Sequence, residues 1–135
     1  MLLNSETDYA IRILSCLSEQ DTRIGAVEIS EKTGVSQRFA LKILHKLVLA
    51  GLVGSVRGSK GGYRLAKPAG SITLLDVFET MNGPLSLNRC QLAGETCTHP
   101  EGYCRYRAVF ADITCYIKKK LSEITLDQNP QNFKL

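Results

Sequence analysis

The sequence predicts a mainly α-helical fold with one small β-hairpin, because helical spacing of apolar residues is interrupted at a single place. Four segments before residue 83 carry that spacing, residues 52–67 change to two short strands around "RGSKGG", and a long apolar stripe follows from about residue 103 to residue 125. At 135 residues and 44% hydrophobic, the chain can bury the core of one domain with an extension.

The first helix is predicted over residues 5–19, where Ser5 is an N-cap candidate and Asp8, three residues on, completes a capping-box pattern. Its buried stripe is expected to comprise Tyr9, Ile13, Cys16 and Leu17. The second helix fits "AVEISEKTG", in which Ala26, Val27 and Ile29 need burial and Gly34 ends the helix.

The third helix begins after Ser36, an N-cap residue type, and runs through "QRFALKILHKLVLAG". Its buried side is expected to carry Ala40, Ile43, Leu44, Leu47 and Val48. Two helices joined across "TGVS" form a helix-turn-helix, and the hairpin "LVGSV" to "YRLAK" directly after it is a wing. A fourth helix follows in "SITLLDVFETMNG", with a capping box between Thr73 and Asp76. The predicted fold is therefore a winged helix-turn-helix plus a long C-terminal dimerisation helix.

Positive charge is concentrated in the first half of the chain. Residues 1–70 hold ten Lys and Arg against six Asp and Glu, whereas residues 71–135 hold seven of each. No carboxylate occurs between Glu31 and Asp76, a stretch that we call the basic window. Its cations are Lys32, Arg38, Lys42, Lys46, Arg57, Lys60, Arg64 and Lys67. A surface of one sign favours a polyanion such as duplex DNA, the alternative being a basic surface kept for solubility.

The expected DNA contacts lie at the start of the third helix and in the wing turn. Gln can pair with adenine and Arg with guanine, whereas Ser and Lys more often hold phosphates. The candidate DNA-binding residues are Ser36, Gln37, Arg38, Lys42, Arg57, Ser59 and Lys60.

Three evenly spaced cysteines, Cys90, Cys97 and Cys104, mark a glycine-containing loop. A chain without a recognisable export or membrane segment is expected in the cytoplasm, where spaced cysteines are more often metal ligands or reactive thiols than disulfides. The spacing lacks the C-x2-C pair of structural zinc sites, although His99 could complete a zinc set. Soft thiolates also suit an iron-sulfur cluster. Unligated thiols that oxidise remain a third alternative.

The long C-terminal stripe predicts a helix that packs on a second copy of the chain. Its members are Tyr106, Phe110, Ile113, Ile117, Leu121 and Ile124. Cys115 lies off this stripe. The expected organisation is a DNA-binding domain over residues 1–83, a cysteine loop over 84–104, a dimerisation helix over 105–127 and a tail over 128–135.

The order of these features resembles the Rrf family of bacterial transcription regulators, in its iron-sulfur branch of NsrR-like and IscR-like members. The resemblance runs from "TDYAIRIL" through "SVRGSKGGYRLAKP" and "LSLNRC" to the long helix. It implies a homodimer, a DNA operator, and a cluster on Cys90, Cys97 and Cys104.

The resemblance leaves the fourth ligand open. IscR-like proteins have a histidine three residues after the last cysteine, where this chain has Arg107, which cannot ligate iron. NsrR-like proteins use an aspartate on the first helix of the partner, and Asp8 stands at the matching place. Asp8 would favour a four-iron cluster over a two-iron one, with His99 and Glu101 as substitutes.

The function implied is that of a DNA-binding regulator, more often a repressor, whose cluster senses nitric oxide, redox state or cluster supply. The alternative is a winged-helix regulator that binds zinc or senses thiol oxidation. An enzyme is not expected, because a thiol oxidoreductase would show a C-x-x-C pair at a helix start.

Overall fold

The computed structural model describes residues 4–92, 94–95 and 104–128. Its helices are α1 (Ser5–Ser18), α2 (Ala26–Thr33), α3 (Gln37–Leu49), α4 (Leu74–Asn82) and α5 (Arg107–Ser122), and its strands are β1 (Val53–Val56) and β2 (Gly62–Leu65). The strands pair antiparallel, with Val53 opposite Leu65 and Val56 opposite Gly62. The predicted mainly α fold with one hairpin is confirmed. Within the described residues, no helix is both long and apolar enough to cross a bilayer.

The core lies where α1 packs against α2, α3 and α4. Its fully buried members include Ile13, Leu14, Ile29, Ile43, Leu44, Leu47 and Val77. The expected stripes are thus largely confirmed, because helical spacing selects the residues that face this contact. Val27 is the clear exception, since its side chain is 55% exposed on the outer side of α2. The two-turn helix α2 buries only Ile29, so the prediction that Val27 is buried was wrong.

The start of α1 differs from the prediction by one residue, with a consequence for Asp8. Asn4, not Ser5, is the N-cap, and its Oδ1 accepts hydrogen bonds from the backbone nitrogen and the hydroxyl of Thr7, both at 2.8 Å. Asp8 therefore has no capping role. Its carboxylate instead pairs with Arg12 one turn further along, at 2.8 Å. The capping box between Thr73 and Asp76 in α4 is confirmed.

The C-terminal helix is shorter than the predicted range of 105–127. It ends at Ser122, and the chain then turns back along the start of α4. The Leu74 nitrogen donates to the Ile124 carbonyl at 2.9 Å, and the Leu126 nitrogen donates to the Ile72 carbonyl at 3.1 Å. This backbone pairing fixes the far end of α5 to the DNA-binding domain.

The apolar residues of α5 divide between two faces. Phe110, Ile117 and Leu121 lie on the same side as buried Thr114 and are themselves half-buried. These residues of the predicted stripe are therefore already partly covered within the subunit, where α5 contacts α4, and packing on a second copy stays a prediction. Four large apolar side chains remain more than two-fifths exposed, at the helical spacing of three, four and three residues: Tyr106, Val109, Ile113 and Tyr116. We call these four residues the outer face of α5.

Candidate nucleic-acid interface and cysteine site

The start of α3 presents the predicted base-reading residues to solvent. Ser36 caps the helix through its Oγ, which accepts from the Phe39 nitrogen at 3.5 Å, so its hydroxyl has a structural task. Gln37 and Arg38 follow on the first turn and are exposed. The side chains at this end are thus placed as a recognition helix requires, with their polar groups outside the core.

The wing is a tight hairpin whose glycines are required by geometry. A Cβ at Gly61 would lie 2.1 Å from the Val56 carbonyl oxygen, and Gly62 combines a φ of 134° with a close approach to Ile24. Ile24 and Tyr63 exchange two backbone hydrogen bonds, at 3.1 and 2.9 Å, which fasten the wing to the segment before α2. The wing turn with Arg57, Ser59 and Lys60 therefore extends from a fixed base, and all three residues are exposed.

A groove of about 800 Å³ separates α3 from the wing. Leu41 and His45 line it from α3, and Arg57 and Ser59 line it from the wing. Leu41 is 43% exposed, which offers an apolar surface of the kind that contacts thymine methyl groups. Sequence reasoning did not select Leu41, because an apolar residue on a helix is expected to face the core.

Glu6 on the first turn of α1 holds two lysines of α3. Its Oε1 accepts from Nζ of Lys42 and its Oε2 accepts from Nζ of Lys46. Hydrogen bonds from both ammonium groups lower the pKa of Glu6 to about 2, so the carboxylate is ionised at neutral pH. Lys42, a predicted DNA contact, is therefore charge-paired in the free protein.

The other cations of the basic window are mostly unpaired. Lys32 pairs with Glu28 on its own helix at 3.4 Å. Five cations make no salt bridge within the described residues: Arg38, Arg57, Lys60, Arg64 and Lys67. Each of these five is exposed. The start of α3 and the wing together therefore present positive charge without compensating carboxylates.

Cys90 lies in a short 3-10 turn, residues 89–91, which is held against α5 by the next residue. The Gln91 Oε1 lies 3.1 Å from the hydroxyls of both Ser86 and Thr114, and the Leu87 nitrogen donates to Thr114 at 3.4 Å. Thr114 is 8% exposed, on the inner side of α5. Gln91 and Thr114 had no sequence signal as site residues, because 23 positions separate them.

The other described cysteines occupy three different environments. Cys104 is half-buried, and its carbonyl accepts from the Arg107 nitrogen at 3.1 Å, at the turn that leads into α5. Cys16 lies on α1, where burial raises the pKa of its thiol. Cys115 is exposed on α5 beside a pocket of about 640 Å³. All four described cysteines, Cys90 included, are free thiols.

The candidate ligands come together only in part. Cys97, His99 and Glu101 lie outside the described residues. Among residues 4–92, 94–95 and 104–128, no three Cys, His, Asp or Glu side chains converge on one point that could hold a metal. Cys90 and Cys104 nevertheless lie at the two ends of the cysteine loop as half-buried free thiols, a donor type that suits iron-sulfur clusters. Asp8 lies on α1 and does not converge with them within one subunit.

Solved structures with the same fold cover nearly the whole chain. The structure of CymR (YrzC), the global cysteine regulator of B. subtilis, has a TM-score of 0.76 at 24% identity, with 99% of each chain covered. T. potens IscR has a TM-score of 0.74 at 22% identity, with 100% of this chain and 93% of that chain covered. Staphylococcus aureus CymR has a TM-score of 0.71 at 23% identity, with 98% and 100% covered. These identities show a shared fold, which supports the winged-helix assignment.

Sequence similarity gives the family. The Protein aau3 of Rhizobium meliloti (strain 1021) is 41% identical over 96 residues, which are 70% of this chain but only 62% of that protein. The chain thus spans less than two thirds of the length of this relative. A family described as "Rrf2: Iron-dependent Transcriptional regulator" matches residues 3–129. Because this match covers almost the whole sequence, the chain belongs to the Rrf2 family of transcriptional regulators, which are not enzymes.

Proposed function

We propose that the protein is a homodimeric, DNA-binding transcriptional repressor whose affinity for its operator is controlled by an iron-sulfur cluster. The observation that carries DNA binding is a set of five exposed cations without a salt bridge in the described residues, Arg38 at the start of α3 and Arg57, Lys60, Arg64 and Lys67 in or next to the wing. The cluster proposal rests on the family's description as iron-dependent and on the free thiols at the ends of the cysteine loop. We expect this function in the cytoplasm, where thiols stay reduced.

DNA binding would divide between two elements. Gln37 and Arg38 carry the groups that read base edges in the major groove, while Ser36 and Lys42 hold phosphates. The wing would add Arg57, Ser59 and Lys60, with an arginine able to enter the minor groove or contact the backbone. The fixed base of the wing supports this division, because it sets the distance between the two sets of contacts.

A second copy of the chain is the proposed occupant of the outer face of α5. Four exposed apolar side chains on one side, Tyr106 at the N-cap and three within the 16-residue helix, are costly in water, and packing two such helices together would bury them. Two recognition helices would then be held at a fixed separation, as an operator with two half-sites requires.

The cluster would be held by Cys90, Cys97 and Cys104 of one subunit and Asp8 of the other, which favours four irons over two. Asp8 supports this role because its only salt bridge in the described structure is the half-exposed pair with Arg12. Exchanging such a pair for a metal ligand would cost only about 0.5 kcal/mol. The cluster supplies reactivity toward nitric oxide and oxidants, which is the sensing chemistry that we propose.

The consequence for DNA follows from where Asp8 lies. As a ligand it would tie α1 of one subunit to the cysteine loop of the other, and α1 packs directly on α3 of its own subunit. Release of Asp8 would allow α1 and the recognition helix of one subunit to move relative to the recognition helix of the other subunit. A small rotation misaligns one of two half-sites, so repression would end when the tie is lost.

DNA binding by unpaired cations predicts a steep salt dependence. If the five unpaired cations contact phosphates, a plot of log affinity against log salt concentration should have a slope of about −4.5. Fluorescence anisotropy with a labelled duplex, at salt concentrations between about 50 and 300 mM, measures this slope. A slope near zero would contradict DNA binding.

If the outer face of α5 forms the dimer interface, a charged side chain placed in it should separate the two subunits. Ile113→Glu places a carboxylate in the centre of this face, so we expect the mass measured by light scattering to fall from twice 14.9 kDa to that of one chain. Ala108→Glu is the matched control, since Ala108 is exposed on the same helix but lies outside the outer face. An Ile113→Glu protein that stays dimeric would contradict this interface.

The cluster proposal predicts colour and metal content. Protein purified without oxygen should absorb visible light and contain iron and sulfide, Cys90→Ser should lose both, and Cys115→Ser should keep them because Cys115 lies outside the evenly spaced set. Asp8→Ala should change the spectrum or shorten the lifetime of the bound cluster, whereas Asp21→Ala in an exposed turn should not.

Two results would refute parts of this assignment separately. A colourless protein that takes up no iron or sulfide, yet binds DNA, would eliminate the cluster and leave the regulator. Stoichiometric zinc in that colourless protein would establish the zinc-binding alternative. An unchanged spectrum and lifetime in Asp8→Ala would leave Asp8 as the partner of Arg12 only.

The contacts of Gln91 should limit the access of reagents to Cys90 in the metal-free protein. Gln91→Ala removes the link to Ser86 and Thr114, so the turn should open more often and alkylation of Cys90 by iodoacetamide should become several-fold faster. Mass spectrometry of the modified peptides measures the rate, with Cys16 on α1 as the internal control. An unchanged Cys90 rate would show that Gln91 does not hold the turn.

A further inference from the structure

We propose that Glu6 is an internal competitor for DNA phosphates, which lowers the sequence-independent part of the affinity for DNA. This inference rests on the proposed DNA binding. It concerns a carboxylate that lies outside the basic window in sequence but contacts that window in the folded chain.

Glu6 is an anion bound by two cations, Lys42 and Lys46, and we call these three residues the Glu6 clamp. Each oxygen of Glu6 is taken by a different ammonium group, one from Lys42 and one from Lys46. These lysines are four residues apart on α3, so their side chains leave the same face of the helix one turn apart. A DNA phosphate, with two unesterified oxygens and one negative charge, offers the same pair of acceptors.

The clamp is accessible to DNA. The Lys42 side chain is 55% exposed, that of Lys46 is 37% exposed and that of Glu6 is 24% exposed. Lys42 also lies one turn beyond Arg38, on the helix that carries the base-reading residues. Exposed ion pairs are weak and are screened by salt, so a phosphate can displace the carboxylate, although it must compete with it.

Neighbouring contacts keep Glu6 close to the lysines. One turn along α1, the Tyr9 ring packs on Phe39 of α3, with ring centroids 6.0 Å apart. At the start of α1, the Asn4 side chain caps the helix and donates to Asn82 at 2.7 Å. The carboxylate is therefore a permanent part of the recognition surface and is present at high effective concentration.

The competition acts on phosphate contacts and not on contacts with base edges. Non-specific binding depends on phosphate contacts, two of which would have to displace Glu6. Contacts with base edges by Gln37 and Arg38 do not involve Glu6, because neither residue is among its partners. Glu6 therefore reduces the sequence-independent part of the affinity more than the sequence-dependent part.

The test compares Glu6→Gln with the wild type on a labelled duplex of unrelated sequence, using metal-free protein over a range of salt concentrations. Glu6→Gln should bind about tenfold more tightly at low salt, and its log–log salt slope should be steeper by about 1 to 2, since about 0.9 is added per new phosphate contact. Glu123→Gln is the matched control, because it removes the same charge from a pair with Lys120, outside the basic window.

A charge-conserving variant separates the clamp from net charge. Glu6→Asp keeps the charge but is one methylene shorter, which draws the carboxylate back from the two lysines, and we expect a gain between those of the wild type and Glu6→Gln. Replacing Lys42 by Gln in the Glu6→Gln protein should remove part of the added slope. Circular dichroism checks that each variant is folded, and Glu6→Asp remains informative if Glu6→Gln is not.

Two outcomes overturn the inference without touching the proposed function. If Glu6→Gln binds no more tightly than the wild type, the lysines do not reach phosphates. Alternatively, Glu123→Gln gains as much as Glu6→Gln, which would mean that only net charge matters. By contrast, a wild-type salt slope near zero contradicts DNA binding itself.

Discussion

The packing of α1 against α3 is the contact on which the rest of the structure depends. Ile13 and Leu14 from α1 and Ile43 and Leu44 from α3 have no exposed surface. Because α1 also packs on α4, the recognition helix and the helix that leads to the cysteine loop are both placed by one element. Well-packed interiors shift as units, so a displacement of α1 is transmitted to its neighbours.

The fold of the chain, more than its composition, determines which positive charges on the surface are paired. The basic window contains no carboxylate in sequence, but the fold returns Glu6 to it from 36 residues away. The positive surface is thereby divided into a partly neutralised region at Lys42 and Lys46, where one carboxylate faces two cations, and an unpaired region at Arg38 and the wing. The positive charge available to a partner therefore depends on pairing in the folded chain, which a count of charges along the sequence does not reveal.

Local signals explain what could be predicted from the sequence. Ser36 as the start of α3, the capping box at Thr73 and the glycine turn of the wing are all set by residues within a few positions of each other, and all were confirmed. Errors arose where two neighbours were equivalent or where a partner was remote. Asn4 and Ser5 are both good N-caps, and the Thr7 hydroxyl, which also donates to Asn4, favours Asn4.

The site was less predictable than the fold for the same reason. Spacing on α5 revealed apolar residues but not which of them pack within the subunit, because that depends on where α4 lies. Likewise, the contact between Gln91 and Thr114 that holds the Cys90 turn joins residues far apart in sequence, so it can be identified only from the tertiary structure. Ligand types are readable from sequence, whereas the contacts that position them join distant segments.

Asp8 and Glu6 show how one helix can serve both proposed tasks. They lie two residues apart on α1, so their side chains leave the helix about 200° apart. Glu6 faces α3, where it holds Lys42 and Lys46, while Asp8 pairs with Arg12 on a separate face. A partner's cysteine loop could therefore take the Asp8 carboxylate without displacing Glu6. Movement of α1 after release of Asp8 would carry the recognition helix and Glu6 with it, because α1 packs on α3.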